Sequence, residues 1–214
     1  RGMSSAASDV YKRQQGDLIK DQSGKIIRDN IWGDLDQDIY RRDFTLNALY
    51  YCPISKKIIG HKDGIKDIKQ KKIVSIGDPR HRFSEDPVRS LRAIRFSNKL
   101  SFKIDKKIKN AIYEKGYLLS NISNARIFDE FCKIFLSGMA EKNFNKLSSF
   151  GLSKFLITIE PKVNEFLHNV IFEALRNTDR RIKNNQSVTP GFLIAALLWP
   201  NLINKSLTLS LIHI

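Results

Sequence analysis

Gly77 separates two kinds of sequence pattern, and that change constrains the fold more than any other feature of the chain. Upstream, short apolar runs alternate with turn-forming residues. Lys57-Ile58-Ile59 and Lys72-Ile73-Val74-Ser75-Ile76 have the length and β-branched content of short strands. Pro53-Ile54-Ser55-Lys56 turns the chain before the first of them, and Asp63-Gly64-Ile65-Lys66-Asp67-Ile68 begins a brief helix. Gln15 to Asp38 is polar, with a turn at Gln22-Ser23-Gly24-Lys25, and predicts a loop or hairpin. Phe44 to Tyr51 is apolar, but too short for periodicity to separate helix from strand.

Downstream of Gly77, helix signals recur. Asp86-Pro87 is an N-cap and N1 pair opening a helix through about Lys99. Asp105 caps the next, through roughly Lys115, and Ser123 a third ending near Gly138. In Glu160 to Asn177, Val163, Phe166, Leu167, Val170 and Ala174 make an apolar stripe at helical spacing. Thr189-Pro190 opens the last helix, which Pro200 is expected to end. No segment repeats at a fixed period. The expected fold class is α+β, a small α/β part followed by an all-helical region.

The two termini stand apart. Asp9-Val10-Tyr11-Lys12-Arg13-Gln14 and the closing Leu209 to Ile214 are encoded by one DNA sequence and by its reverse complement, which resembles a transposon end used in sequencing libraries. Residues 1–14 and 209–214 are therefore expected to be library-derived, leaving Gln15 to Thr208 as native sequence cut at both ends. No apolar leader with a small-residue cleavage site is visible. The longest strongly apolar run, Phe192 to Trp199, is far short of a membrane span. Cys52 and Cys132 follow no metal or redox spacing, and free thiols fit a reducing, cytoplasmic setting.

Lys and Arg number 37 against 22 Asp and Glu, a formal net charge of +15. Such an excess favours a polyanionic partner, because neutralised phosphates release counterions. A solubilising lysine surface is the plainer alternative.

Three constellations can carry chemistry. Asp34, Asp36 and Asp38 alternate as in a calcium loop, but Ile39 and Thr45 stand where that loop needs Gly and Glu, so the acids read as a solvated turn. Asp43 lies where a loop enters an apolar run, and Arg41 and Arg42 beside it would keep it ionised or grip phosphates themselves. Arg89, Arg92 and Arg95 recur at every third position on one predicted helix, with Val88, Leu91 and Ile94 on an adjacent strip that can pack inward. Three stacked arginines repel one another unless anions sit among them; Glu85 and Asp86 could supply part of the compensation and a nucleotide triphosphate the rest. His61, His81 and His168 are isolated, and no zinc, triad or Walker-type pattern appears.

The segments RRDFTLNALYY, HKDGIKDI, GDPRHRFSEDPVRSLRAIRFSNKLSF and ISNARIFDEF occur in this order between Arg41 and Phe131. They resemble the class II nucleotidyltransferases, the bacterial poly(A) polymerases and CCA-adding tRNA nucleotidyltransferases. RNTDRRIKNNQSVTPGFLIAALLWPNL and the upstream IIRDNIWGDLDQDIYRRDF are more similar to the polymerases. The resemblance implies a C-terminal remnant of an α/β nucleotidyltransferase head (15–77), then an all-α neck (78–138) and body (139–208). It implies template-independent transfer of AMP from ATP to an RNA 3′ end, with Mg²⁺ as cofactor and RNA and ATP as partners. Asp43 corresponds to the active-site acid of the R-R-D-F-T motif and would be a metal ligand. Arg42, Asn47, Asp86, Arg89, Arg92 and Arg95 correspond to nucleotide-binding positions, and Asp63 and Asp67 to an element supporting head–neck geometry. The family's G-G turn and D-x-D metal pair belong upstream of R-R-D-F-T, and nothing between Gln15 and Arg42 matches them. CCA addition, and a non-catalytic RNA-binding helical module, are the alternative functions.

Overall fold

The computed structural model describes residues 19–20, 26–28, 34–157 and 165–212. Ile19–Lys20 (β1) and Ile26–Arg28 (β2) pair antiparallel, as the polar, turn-containing stretch suggested. The following acids do not form the expected loop: Leu35–Arg41 is a helix (α1). Asp34 caps it, accepting from the Leu35 N–H at 2.6 Å, and Asp36 and Asp38 lie in its first turn. Negative charge there complements the unpaired N–H groups of the helix start, so the alternating aspartates are a helix-initiation signal.

Phe44 enters a bridge with Ser75, Thr45–Asn47 forms one 3₁₀ turn, and Leu49–Cys52 is a strand (β3). The ambiguous apolar run is thus a turn leading into a strand. β3 pairs antiparallel with Lys57–Gly60 (β4), from Leu49 opposite Gly60 to Cys52 opposite Lys57. Gly60 has φ +150, and a Cβ there would fall 2.1 Å from the Ala48 carbonyl oxygen, so only glycine fits. Gly64–Lys69 (α2) and Lys72–Ile73 (β5) follow. β5 pairs in parallel with Lys103–Ile104 (β6), which lies beyond Gly77. Residues 43–45, 72–76 and 103–105 therefore share one patch of backbone bonding: Thr45 N–H donates to Val74 at 3.0 Å, Ile76 N–H to Asp43 at 3.3 Å, and Asp105 N–H to Ile73 at 3.1 Å.

The helices are Pro79–Glu85 (α3), Val88–Leu100 (α4), Lys106–Lys115 (α5), Asn124–Phe135 (α6), Ala140–Ser149 (α7), Ser153–Leu156 (α8), Glu165–Lys183 (α9) and Pro190–Ile212 (α10). Asp105 caps α5 as expected, accepting from the Lys107 N–H at 2.9 Å, whereas α4 starts one residue later than expected: Pro87 takes the N-cap position, and Asp86 before it accepts from the Val88 N–H at 3.3 Å. Helix α3 was not anticipated; its signal is Asp78-Pro79, where Asp78 accepts from the Arg80 N–H at 3.4 Å. Helix α10 runs through Pro200 to Ile212, contrary to the expected stop. An internal proline removes one backbone hydrogen bond and strains the preceding turn, but helix-compatible residues on both sides can carry the helix across it.

Val88, Leu91 and Ile94 are buried, as their strip on α4 required. One apolar core runs from Phe44 and Ile73 through α4 to Leu193 and Leu197, so packing is continuous across residue 77. Of the expected α9 stripe, Val170 and Ala174 are half-buried, and the residues of α9 that enter that core are their neighbours Ile171 and Leu175, with Ala174 packed against it. Val163, Phe166 and Leu167 lie outside the residues whose side chains are described.

Candidate functional site

Asp43 is placed by its own backbone. Its carbonyl accepts from Ile76, and the Thr45 N–H donates to Val74, so the acid sits at the end of a fixed piece of sheet. Behind it, Thr45 Oγ1 donates at 2.7 Å to Asp67 Oδ2, and both residues are buried. Gly64 makes that approach possible, since a Cβ there would lie 2.8 Å from the Thr45 carbonyl oxygen. The acid of D-G-I-K-D that anchors the R-R-D-F-T turn is thus Asp67. Asp63 occupies the N-cap position of α2 without a capping side-chain bond.

Helix α4 faces Asp43 and uses both of its oxygens. Arg89 Nε donates to Oδ1 at 2.9 Å, and an Arg92 terminal nitrogen donates to Oδ2 at 2.8 Å. Arg89 also donates at 2.9 Å to the Arg82 carbonyl and at 2.9 Å to Glu85 Oε2. Arg92 turns its Nε toward Glu130 Oε1 at 3.5 Å, and Arg95 approaches Glu130 Oε2 at 3.7 Å, close enough to attract but too far for a hydrogen bond. Lys133 completes the group, 3.1 Å from Glu130. The arginine stripe therefore finds its anions inside the protein: Arg82, Arg89, Arg92, Arg95 and Lys133 share Asp43, Glu85 and Glu130. Five cations over three carboxylates leave the cluster cationic, so its cohesion does not need a bound triphosphate while its surplus still favours one.

The electrostatics follow from burial and pairing. Burial opposes the charge on Arg92, but the Asp43 bond and the Asp43 and Glu130 charges more than offset it, and its pKa rises above the ordinary value. Arg82 moves the other way, lowered by burial and then by the charge of Arg89. The Arg89 hydrogen bond holds the Glu85 carboxyl below its usual value. Asp38, bonded by the Tyr50 hydroxyl, Arg42 and Arg41, has its pKa lowered to about 2. Arg42 is thereby tethered at 2.7 Å to its own helix, with its guanidinium 5.9 Å from the Tyr50 ring centroid.

The result is an open cleft of about 590 Å³ lined by Arg41, Arg42, Asp43, Asn47, Arg89 and Arg92. Five of the seven candidate site residues meet there. Arg95 and Asp86 do not line it: Arg95 is drawn toward Glu130, and Asp86 receives two hydrogen bonds from one terminal nitrogen of Arg126, at 3.0 and 2.9 Å. Sequence reasoning missed Glu130 and Arg126, both on α6. Glu130 is 2% exposed, and an acid next to Phe131 in the buried heart of ISNARIFDEF is the signal that could have marked it.

The Mg²⁺ implied by the resemblance does not fit this donor set. Asp43 is the single carboxylate of the cleft and both its oxygens are bonded to guanidinium groups. Among the described residues no group of three or more His, Cys, Asp or Glu could hold a metal ion. Nor is any described helix long and apolar enough to cross a membrane.

Comparison with known proteins fits this geometry. Residues 5–74 match the poly(A) polymerase head domain model, a match that begins inside residues 1–14, the stretch expected to be non-native. Residues 101–167 match a model described as "probable RNA and SrmB-binding site of polymerase A". The chain is 39% identical over 198 residues to poly(A) polymerase I of Haemophilus influenzae, covering 90% of this chain and 44% of that protein. It is 39% identical over 123 residues to the CCA-adding enzyme of Lactococcus lactis, covering 58% of this chain and 31% of the relative. The Thermotoga maritima CCA-adding enzyme complexed with tRNA superposes with a TM-score of 0.62 at 25% identity, over 90% of this chain and 50% of the other. The chain thus spans less than half the length of the curated relatives it matches.

Proposed function

The chain belongs to the class II nucleotidyltransferase family of bacterial poly(A) polymerases and CCA-adding enzymes, and from that premise we propose that the protein it forms part of transfers AMP from ATP to RNA 3′ ends. The observation that carries this reading is the cationic cleft in which Asp43 spans Arg89 and Arg92. In it, Asp43 holds two guanidinium groups at a fixed separation, and their remaining N–H donors, with those of Arg41 and Arg42, grip the phosphates of the nucleotide. Asn47 adds an amide to the same wall. Asp86 and Arg126 are joined by hydrogen bonds outside the cleft, and an acid and a guanidinium together offer the acceptor and donor pattern that a base edge requires.

The neck and body contribute the RNA-binding surface. On this reading the 214 residues alone bind nucleotide without transferring it, because Asp43 is the one carboxylate in the cleft and is committed to arginines. Polyadenylation rather than CCA addition is favoured because sequence similarity to a poly(A) polymerase extends over 90% of the chain, against 58% for the Lactococcus CCA-adding enzyme, while the fold is common to both kinds of enzyme.

The test is Arg92→Ala in this chain, with ATP retention and oligoadenylate binding measured side by side. Losing a charge-assisted hydrogen bond should weaken ATP binding about tenfold or more while leaving RNA binding nearly unchanged. Equal loss of both would make the arginines an RNA face and overturn the assignment. Reaction choice is settled on a protein completed to the length of its relatives: CMP addition to a tRNA lacking its terminus would replace polyadenylation with CCA addition.

A further inference from the structure

Arg82 stands behind the arginine cleft and does not line it. It extends from α3, and its side chain is 15% exposed. One terminal nitrogen donates at 2.9 Å to the Arg41 carbonyl and at 2.9 Å to the Arg42 carbonyl, and the other donates to Glu85 Oε2 at 3.2 Å. Those carbonyls belong to the last residue of α1 and to its C-cap. A helix ends in unpaired carbonyls and partial negative charge, and a guanidinium answers both. Here that cap reaches α1 from residues 41 and 40 positions further along the chain.

The placement of Arg82 is costly to itself. Its Nε is buried and finds no hydrogen-bond partner among the described residues. Burial and the Arg89 charge both act against its positive charge. A buried donor left unpaired costs stability, so the side chain is set where its terminal nitrogens reach the turn rather than where all its donors are met.

The backbone of Arg82 serves the opposite side of the cleft. Its carbonyl accepts from an Arg89 terminal nitrogen at 2.9 Å, and Arg89 Nε donates at 2.9 Å to Asp43 Oδ1. Asp43 follows Arg42 in the chain, so these bonds close a ring through Arg42, Arg82, Arg89 and Asp43. Arg41 and Arg42 line one side of the cleft, and Arg89 and Arg92 the other. The Arg42 head group is itself tethered at 2.7 Å to Asp38 on α1, so whatever fixes the end of that helix also aims Arg42. Given the nucleotide binding proposed above, on which this rests, we infer that Arg82 is a positioning residue: it sets the spacing of Arg41 and Arg42 against Arg89 and Arg92, and so the grip on the phosphates, without touching the nucleotide.

Arg82→Lys keeps the charge but loses the planar fork that spans two carbonyls and Glu85, while its backbone carbonyl can still hold Arg89. Arg82→Gln loses the charge as well. ATP affinity of the 214-residue chain is measured for each variant at a temperature where circular dichroism shows it folded. Both variants should bind ATP about tenfold more weakly. A double-mutant cycle supplies the readout that a merely structural role would not move. In an Arg41→Ala/Arg42→Ala chain, Arg82→Lys should cost less than about twofold, since no side chain remains to be aimed. A further loss of about tenfold in that chain would overturn the inference, because the two effects would then be independent. Unchanged ATP affinity in Arg82→Lys would overturn it too, and if Arg82→Gln alone weakened binding, Arg82 would be reduced to a source of positive charge. Absence of ATP binding by the unsubstituted chain would sink the nucleotide reading and the role of Arg82 together, whereas ATP binding indifferent to Arg82 would sink that role alone.

Discussion

Replacing Glu130 tests whether the arginine cleft is held from behind. Glu130 is 2% exposed and serves Arg92, Arg95 and Lys133 at 3.5, 3.7 and 3.1 Å. Glu130→Ala removes the common anion and leaves three cations facing one another. Removing one partner of a buried ion pair costs about 3–5 kcal/mol. The lower figure applies here, because Lys133 is 53% exposed and Arg92 28% exposed, so both can recover part of their hydration. For a chain of this size about 3 kcal/mol corresponds to a fall in melting temperature of roughly 6–12 °C. Glu130→Gln keeps the shape and one acceptor and should lose about half as much. Circular dichroism during heating reads both values. Nucleotide affinity then separates two roles. A purely electrostatic brake would make ATP bind more tightly when Glu130 is neutralised, since the cleft becomes more positive. A positioning residue would make it bind more weakly, since Arg92 loses the partner that orients it, and that weaker binding is expected for Glu130→Gln. A melting shift below about 2 °C in Glu130→Ala, or tighter ATP binding in Glu130→Gln, refutes the reasoning.

Asp38 should give the protein a low-pH dependence of stability. Its carboxyl is held at about 2 by Tyr50 and Arg42 against an ordinary 3.8, so its contribution is complete above the ordinary value and is lost as pH falls through about 2. Melting temperature followed from about pH 5 downward should fall less steeply in Asp38→Asn than in the unsubstituted chain; parallel curves would contradict this. Because Pro200 lies inside α10, Pro200→Ala should restore a backbone hydrogen bond, raise helical content and stabilise by up to about 3 kcal/mol. No change in helicity would mean that the helix stops at the proline.

Several elements were legible because their cause is local. The Asp105 cap and the Asp86 bond to the Val88 N–H act over two residues, and the Val88-Leu91-Ile94 strip follows from helical periodicity alone. The same locality misled at Pro200, where a strong local breaker did not end the helix, and at Asp34 to Asp38, where acids that suit a loop also suit a helix start. Helix α3 had a local signal in Asp78-Pro79 that went unused.

The family motifs in the sequence marked Asp43 and the arginines of α4 as parts of one site. Sequence alone also established the surplus of positive charge and the order of strand-like and helical segments. Only the tertiary structure decided which charges meet. Asp43 is separated from Arg89 and Arg92 by 46 and 49 residues, Arg92 from Glu130 by 38, and Asp86 from Arg126 by 40. Nothing within a few residues of either partner encodes such a pairing. It arises because β5 and the residues just after it bind residues 43–45 on one side and β6 on the other, and the helices α4 and α6 then close over the same core. Backbone propensity acts over a few residues, whereas an ion pair forms wherever packing brings two side chains within about 4 Å. That is why the same packing surrounds the α4 arginines with three carboxylates while Lys146 on α7 meets only the neutral oxygens of Ser97 and Asn98.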